Sequence, residues 1–231
     1  NMADLRAQLA ANEKGVQELR KMVDEFGLDV VQAYMRHVQD NAEESVRRVI
    51  TRLKDGEFTL PLDNGAQIKV AVRVNAQSRS AEIDFTGTSA AVPGNINCPL
   101  SVTAAGVFYV IRCLLPAETP ACAGAFDVVT LQATPGCLVH AQRPAATAAG
   151  NVETSMRIVD CMLGALAAAL PNEIPAASQG TMNNVAMGQV GHWDYYETLG
   201  GGTGASSNQA GIDAVQSHMT NTLNTPIEVL E

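Results

Sequence analysis

Aromatic residues and clustered basic residues are scarce in this sequence. Aromatic side chains make up 4% of its 231 residues, so small and aliphatic side chains must supply most of the packing. The formal net charge is -9 and Lys and Arg form no cluster, which excludes a nucleic-acid partner because phosphate contacts need grouped basic side chains. The most apolar stretch, residues 158–170, contains Asp160 and is shorter than the roughly 20 residues that a bilayer requires. We therefore expect no membrane span.

Cysteines are few and widely spaced, and they form no C-x-x-C pair. An odd number of thiols at wide spacing argues against a disulfide framework. The first residues form a charged amphipathic stretch, which differs from the basic and apolar regions of a signal peptide. We therefore expect a cytoplasmic protein whose cysteines are reduced and buried: Cys98, Cys113, Cys122, Cys137 and Cys161.

Hydrophobic periodicity predicts a helical hairpin over residues 1–55. In the first helix, apolar residues recur at alternating steps of three and four around one polar member, Asn12. After Gly27, a capping box at Asp29 and Gln32 predicts the start of a second amphipathic helix. The apolar faces comprise Leu5, Leu9, Val16, Leu19, Val23 and Phe26, then Val31, Met35, Val38, Ala42, Val46, Val49 and Leu53. The hairpin is either a packing element of the domain, which we favour, or an arm that pairs with another subunit.

The pattern changes at Gly56, and residues 56–231 are predicted to form an α+β domain. Strict alternation of apolar and polar residues predicts an antiparallel strand pair with one wet face. A later helix begins near Asn151, which can cap it. In chain order, the pattern predicts strands at 68–74 and 81–85, a helix at 101–115, strands at 127–131 and 138–140, and a helix at 150–170. The predicted class is α+β, with an N-terminal helical hairpin, a mixed or antiparallel sheet, packed apolar helices and a Gly-rich polar C-terminal segment.

Uncharged hydrogen-bonding side chains alternate with glycines from Ser178 onward. This segment contains SQGTMNNVAMG, YYETLGGGTGASS and QSHMTNTLNTPIEVLE. Glycine lets a backbone approach a ligand closely, and Asn, Ser and Thr supply neutral donors and acceptors. The segment is either a site for a small polar molecule or an ordinary surface loop.

Three groups in this segment are candidates for chemistry or binding. His218 is the best general acid–base candidate, because an imidazole titrates near neutral pH. Glu197 is a candidate base, or equally holds the glycine loop by accepting amide hydrogens. The candidate substrate-binding residues are Asn183, Asn184, Gly200, Gly201, Gly202, Thr203 and Gly204. The glycine run either binds an anion through its amides or forms a plain turn, and it lacks the Lys-Ser/Thr ending of a P-loop.

No two histidines have zinc-ligand spacing, so we predict no metal site among these residues.

Five stretches resemble motifs of the hydantoinase B and 5-oxoprolinase family: FTGTSAAVPGNINCP, GNVETSMRIVD, SQGTMNNV, YYETLGGGTGA and HMTNT. The helical opening, DLRAQLAANEKG and GLDVVQAYMRHVQDNAE, is similar to the 5-oxoprolinase branch. The resemblance implies a hydrolase that works with a hydantoinase A-like, ATP-binding half. ATP is then expected in that half, which phosphorylates an amide carbonyl, while this half completes ring opening of a small cyclic amide such as 5-oxo-L-proline.

Two motifs of that family are missing from this sequence. One is an upstream motif rich in Asp and His that resembles a divalent-metal site, and the other is a C-terminal stretch rich in Gly and Arg. The resemblance therefore implies a fragment of a longer, homo-oligomeric enzyme, with any divalent metal in the missing upstream segment. The alternatives are an N-methylhydantoinase or acetone-carboxylase-type subunit, which activates another carbonyl, or a non-catalytic assembly module.

Overall fold

The computed structural model describes residues 2–220, 222 and 223, and the architecture is α+β. The main elements in chain order are α1 (Met2–Phe26), α2 (Leu28–Ile50), β1 (Gly56–Pro61), β2 (Gln67–Asn75), β3 (Ser80–Asp84), α3 (Leu100–Cys113), β4 (Val129–Gln132), α4 (Thr154–Leu166), β5 (Asn183–Gln189) and β6 (Trp193–Leu199). Short 3-10 helices lie at Ala123–Phe126 and Ala148–Gly150. The predicted fold class is confirmed. Of the helices described, none has the length and apolar character needed to cross a membrane.

The two N-terminal helices are separated by Gly27, whose φ of 83° is readily adopted only by glycine. Helix α2 starts without a side-chain cap, so the predicted capping box at Asp29 is wrong. The buried face of α2 consists of Val31, Ala42, Val46, Val49 and Ile50, whereas α1 has no buried residue. The interpretation as a packing element therefore holds for α2 and is wrong for α1. Helix α2 packs against the 3-10 helix Ala123–Phe126. The division into two domains at residue 55 stays a prediction.

Four strands form a mixed sheet in the order β1-β2-β3-β4. The pairs β1–β2 and β2–β3 are antiparallel, and β3–β4 is parallel. Because side chains alternate across a strand, Ile68, Val70 and Val72 of β2 share one face and are 0% exposed. Helix α4 packs against β1 and β2, and α3 packs against α4. The sheet thus supports α4, which carries the polar residues described below.

Three local predictions differ from the structure. Residues 138–140 form a turn instead of a strand. Leu138 is apolar because it is buried in this loop, and its amide donates to the Ser89 carbonyl. Helix α4 begins at Thr154 without a side-chain cap, so Asn151 does not cap it. The hairpin β5–β6 lies in the polar segment, where no apolar alternation marked its strands.

All five cysteines are unpaired thiols, as expected, but Cys113 is exposed and Cys122 is only partly buried. The expectation of buried thiols is therefore wrong for Cys113. Burial raises the pKa of Cys98 to about 11 and that of Cys161 to about 12. Since only a thiolate is a good nucleophile, these two residues are structural.

Ile68→Ala should lower the free energy of unfolding by about 2–5 kcal/mol, because it leaves a cavity behind the central strand. The matched control is Val190→Ala, which removes methyl groups from a fully exposed side chain and should change stability by less than about 0.5 kcal/mol. Denaturant titration measures both values. Equal losses for the two variants would contradict the assignment of the core.

Candidate functional site

A cleft of about 410 Å³ lies between α3 and the polar C-terminal segment, and we call it the His218 cleft. This volume falls in the range of small-molecule sites. Most of its lining residues are uncharged and able to form hydrogen bonds, although apolar atoms make up the larger part of the wall; the lining includes Tyr109 of α3, Ser178, Thr203, Gly204, Gln216, Ser217, His218 and Thr220. The polar segment therefore forms, with α3, a concave surface that offers neutral hydrogen-bonding groups among apolar atoms.

Close packing of three extended stretches builds the floor of the cleft. The amide of Ala176 donates to Ala205 O at 2.9 Å, and that of Thr203 donates to Ile212 O at 2.9 Å. A Cβ on Gly204 would overlap the carbonyl oxygen of Ala176, so the backbones approach too closely for any other residue. The glycine run is thus explained by packing at this position.

Part of the glycine run is unavailable for anion binding. Gly202 has a φ of 118°, and its amide donates to Val215 O at 3.2 Å. The amide of Thr203 likewise donates to Ile212 O. Two donors of the predicted anion-binding nest are therefore already bonded to backbone carbonyls. Gly200 and Gly201 precede these bonds, and Gly201 packs against the side chain of Gln179.

His218 is held by side chains from two helices. Its Nδ1 lies 3.4 Å from the hydroxyl of Tyr109 on α3, and its Nε2 lies 3.7 Å from Oδ1 of Asp160 on α4. Oδ2 of Asp160 lies 2.6 Å from a terminal nitrogen of Arg157. The backbone of His218 has a φ of 54°, in a region uncommon for residues other than glycine. These contacts join the C-terminal segment to the helical core.

Burial dominates the electrostatics of this cluster. It raises the pKa of Asp160, although the charges of Arg157 and His218 oppose that shift. It lowers the pKa of His218, although the charge of Asp160 opposes that shift. It also raises the pKa of Tyr109, with a further contribution from Cys113. At neutral pH the cleft therefore presents a neutral imidazole, which can accept a proton, beside a protonated phenol, which can donate one.

Asp160 is 7% exposed, and neither of its carboxylate oxygens has a hydrogen-bond partner among residues 2–220, 222 and 223. Its attraction to Arg157 and His218 is therefore electrostatic. A buried carboxylate costs stability unless it is paired, and the 2.6 Å contact with Arg157 supplies that pair.

The same helix fixes the start of the polar segment. Arg157 donates to the carbonyl of Gly180 at 2.5 Å, and the hydroxyl of Thr181 is bonded to the carboxylate of Glu153. Both bonds join α4 to the stretch that contains Ser178, one wall of the cleft. Helix α4 thus positions two sides of the His218 cleft.

The structure separates the predicted site residues into two places. His218, Thr203 and Gly204 line the cleft. Asn183, Asn184 and Glu197 lie on the hairpin β5–β6, where Oδ1 of Asn184 accepts a bond from Thr198 at 2.7 Å and Glu197 accepts one from Tyr195 at 2.8 Å. The remaining candidates, Gly200, Gly201 and Gly202, follow β6 and do not line the cleft. The binding and catalytic roles of all these residues stay predictions.

A larger concavity, about 780 Å³, is lined by residues 186–196 of the hairpin alone. It contains none of the candidate residues. We therefore place the candidate site in the His218 cleft.

Two residues of the cluster were not recognised as site residues from the sequence. Tyr109 lies in an otherwise apolar helix, where a buried hydroxyl needs a partner, and this was an available signal. Asp160 lies in the most apolar stretch of the chain, three residues after Arg157 on one helix, and this spacing predicts either an ion pair or two solvent-facing side chains. The pair is confirmed, and the carboxylate is buried.

Comparisons with known proteins agree on one family. The family model described as Hydantoinase B/oxoprolinase matches residues 1–231. The chain is 38% identical over 240 residues to a 5-oxoprolinase from Dictyostelium discoideum, covering 100% of this chain and 18% of that protein. It is 38% identical over 247 residues to 5-oxoprolinase 1 from Arabidopsis thaliana, covering 100% of this chain and 19% of that protein. The chain thus spans less than a fifth of the length of these relatives.

A solved structure has a similar fold. The crystal structure of the ATP-dependent caprolactamase from Pseudomonas jessenii matches with a TM-score of 0.76 and 23% identity. The match covers 92% of this chain and 39% of that chain. At this identity, the likeness supports the fold alone.

Asp160→Asn should lower the pKa of His218 further, because the negative charge that favours the imidazolium is lost while Arg157 remains. Imidazole proton NMR across a pH titration of the chain measures the shift. Asp40→Asn, which removes an equivalent charge from an exposed part of α2, should leave the His218 curve unchanged. A His218 pKa that stays the same or rises in Asp160→Asn would show that the two groups do not interact.

Proposed function

The chain belongs to the hydantoinase B/oxoprolinase family, and from that membership we propose that it is part of an ATP-dependent cyclic amide hydrolase. The reaction we propose is the opening of 5-oxo-L-proline to L-glutamate, the substrate class implied by the names of its 5-oxoprolinase relatives. Because the chain spans a small part of those proteins, its role is one half-reaction. We assign to it the completion of ring opening.

The carbonyl is activated elsewhere in this proposal, since the described residues do not fit ATP. The glycine run lacks the Lys-Ser/Thr ending of a P-loop, and the amides of Gly202 and Thr203 are already bonded to backbone carbonyls. Nor does the described part of the chain contain a group of three or more His, Cys, Asp or Glu that could hold a metal ion. We therefore propose, as the family resemblance implies, that ATP binds to a hydantoinase A-like partner half.

Ring opening after activation needs two proton movements. A water molecule must lose a proton as its oxygen bonds to the phosphorylated carbonyl carbon, and the ring nitrogen must gain a proton as the C–N bond breaks. The product of this step is an acyl phosphate, which a second water molecule hydrolyses to the carboxylate and free phosphate. Neutral His218 can accept the first proton and return one to the nitrogen, with Tyr109 as its neighbour on the cleft wall. Asp160 then stabilises the imidazolium that forms between the two transfers.

One observation carries the proposal: the chain places a partly buried histidine, with a carboxylate behind it, on the wall of a cleft of small-molecule size. Neutral hydroxyl and amide groups of the lining can hold the amide and carboxylate of a small cyclic substrate. Neutral groups suit a substrate that must later leave as a more highly charged product.

A second candidate function is a non-catalytic assembly module, and the exposed helix α1 favours it. Isothermal titration calorimetry of the chain with 5-oxo-L-proline separates the two candidates. Binding that is lost in a cleft variant supports a site here, whereas an absence of binding together with self-association supports the module.

His218→Ala in the complete enzyme should separate ATP cleavage from ring opening. Glutamate formation should fall by about 100- to 10,000-fold, the usual loss for a general acid–base group, while phosphate release persists in part. The ratio of glutamate to phosphate is measured for the parent, for His218→Ala and for His37→Ala, a control on the exposed face of α2. An unchanged ratio in His218→Ala would remove this residue from the mechanism.

A further inference from the structure

Helix α1 carries a row of large apolar side chains that the described residues leave exposed. Leu9 is 69% exposed, Leu19 is 43% exposed and Phe26 is 55% exposed. A helix in water gains most of its stability from burying such a face. A surface of this kind therefore requires a partner.

The spacing of this row is specific to helix pairing. Its members, which we call the α1 seam, alternate by four and three residues: Leu5, Leu9, Asn12, Val16, Leu19, Val23 and Phe26. A mean step of 3.5 residues is the heptad period of two helices that wind around each other, and a helix lying on a core has a wider stripe. The partner is therefore another helix.

Charges on the opposite side of α1 show that this side faces solvent. The amine of Lys14 lies 2.6 Å from the carboxylate of Glu18, and that of Lys21 lies 2.8 Å from the same group. All three residues lie off the seam. The flanks of the seam instead carry Glu13 and Arg20, whose charges are available to a partner helix.

We infer that α1 of one copy of this chain pairs antiparallel with α1 of a second copy. In the register where Val16 faces Leu19 of the second copy, Glu13 lies beside Arg20 of the second copy. A twofold axis repeats this pair, so two opposite-charge contacts form. The seam is thus complementary to itself.

Side-chain size supports the same register. The staggered register places Gly15 beside Met22 of the second copy. A Cβ on Gly15 would meet nothing within 4 Å, so there is open space for the methionine side chain. The register with full overlap of the two helices would instead place Arg6 beside Arg20 and Glu13 beside Glu13. Like charges in contact are destabilising, so the staggered pairing is preferred.

The staggered register also accounts for an apolar groove at the junction of α1 and α2. This groove has a volume of about 410 Å³ and includes Phe26 and Tyr34 in its lining. Because Leu9 of the second copy faces Phe26, the first turns of its α1, with Leu5, reach the groove. One pairing thus covers both exposed apolar surfaces of the N-terminal region.

Sedimentation of the 231-residue chain over a hundredfold concentration range tests the pairing. The parent should dimerise reversibly, and Leu19→Glu should raise the dimer dissociation constant by at least about tenfold. Ala11→Glu adds the same charge off the seam and should dimerise like the parent. A monomeric parent, or a Leu19→Glu variant that dimerises equally well, would overturn the proposal.

Charge reversal tests the register. Glu13→Arg and Arg20→Glu should each weaken the dimer, and the two together should restore it, because the pair of opposite charges is rebuilt. In the register of full overlap, Arg20→Glu alone would strengthen association, and that result would overturn the staggered pairing. Circular dichroism confirms that each variant keeps its helix content. None of these outcomes depends on His218, so the proposed function is tested separately.

Discussion

The buried carboxylate of Asp160 is the constraint on which the candidate site depends. It lies on α4, the helix that the sheet supports, and it attracts Arg157 and His218 without forming hydrogen bonds of its own. Arg157 in turn holds the carbonyl of Gly180. Asp160 and Arg157 of α4 thus contact two distant stretches of the polar segment, at His218 and at Gly180.

Backbone approach, more than side-chain chemistry, explains the glycines of the polar segment. Gly204 is in contact with the carbonyl of Ala176, and Gly202 adopts a φ that a side chain would strain. Their packing brings Thr203 and His218 to one cleft. The glycines therefore shape the site without binding a ligand through every amide. This arrangement is consistent with a half-reaction that needs proton transfer and leaves phosphate chemistry to another part of the enzyme.

Large exposed surfaces distinguish the periphery of the chain from its core. The α1 seam is one, and the hairpin β5–β6 is another, with Trp193 and Tyr196 53% and 65% exposed. A two-stranded hairpin is marginally stable alone, so it too benefits from neighbours. The core residues are buried by the chain itself, whereas these two peripheral surfaces are exposed.

The sequence by itself determined the elements whose pattern repeats along the chain: the N-terminal helices, the strand pair around β2, the apolar helices and the family. Periodicity reports burial on one face, and that is a local property. It identified His218 by chemical type, but neither the burial of Asp160 nor its contact with His218 could be inferred. Only the tertiary structure decided that Tyr109 belongs to the cleft and that Glu197 lies on the hairpin. Such contacts join residues far apart in the chain, and no local pattern encodes the distance between them.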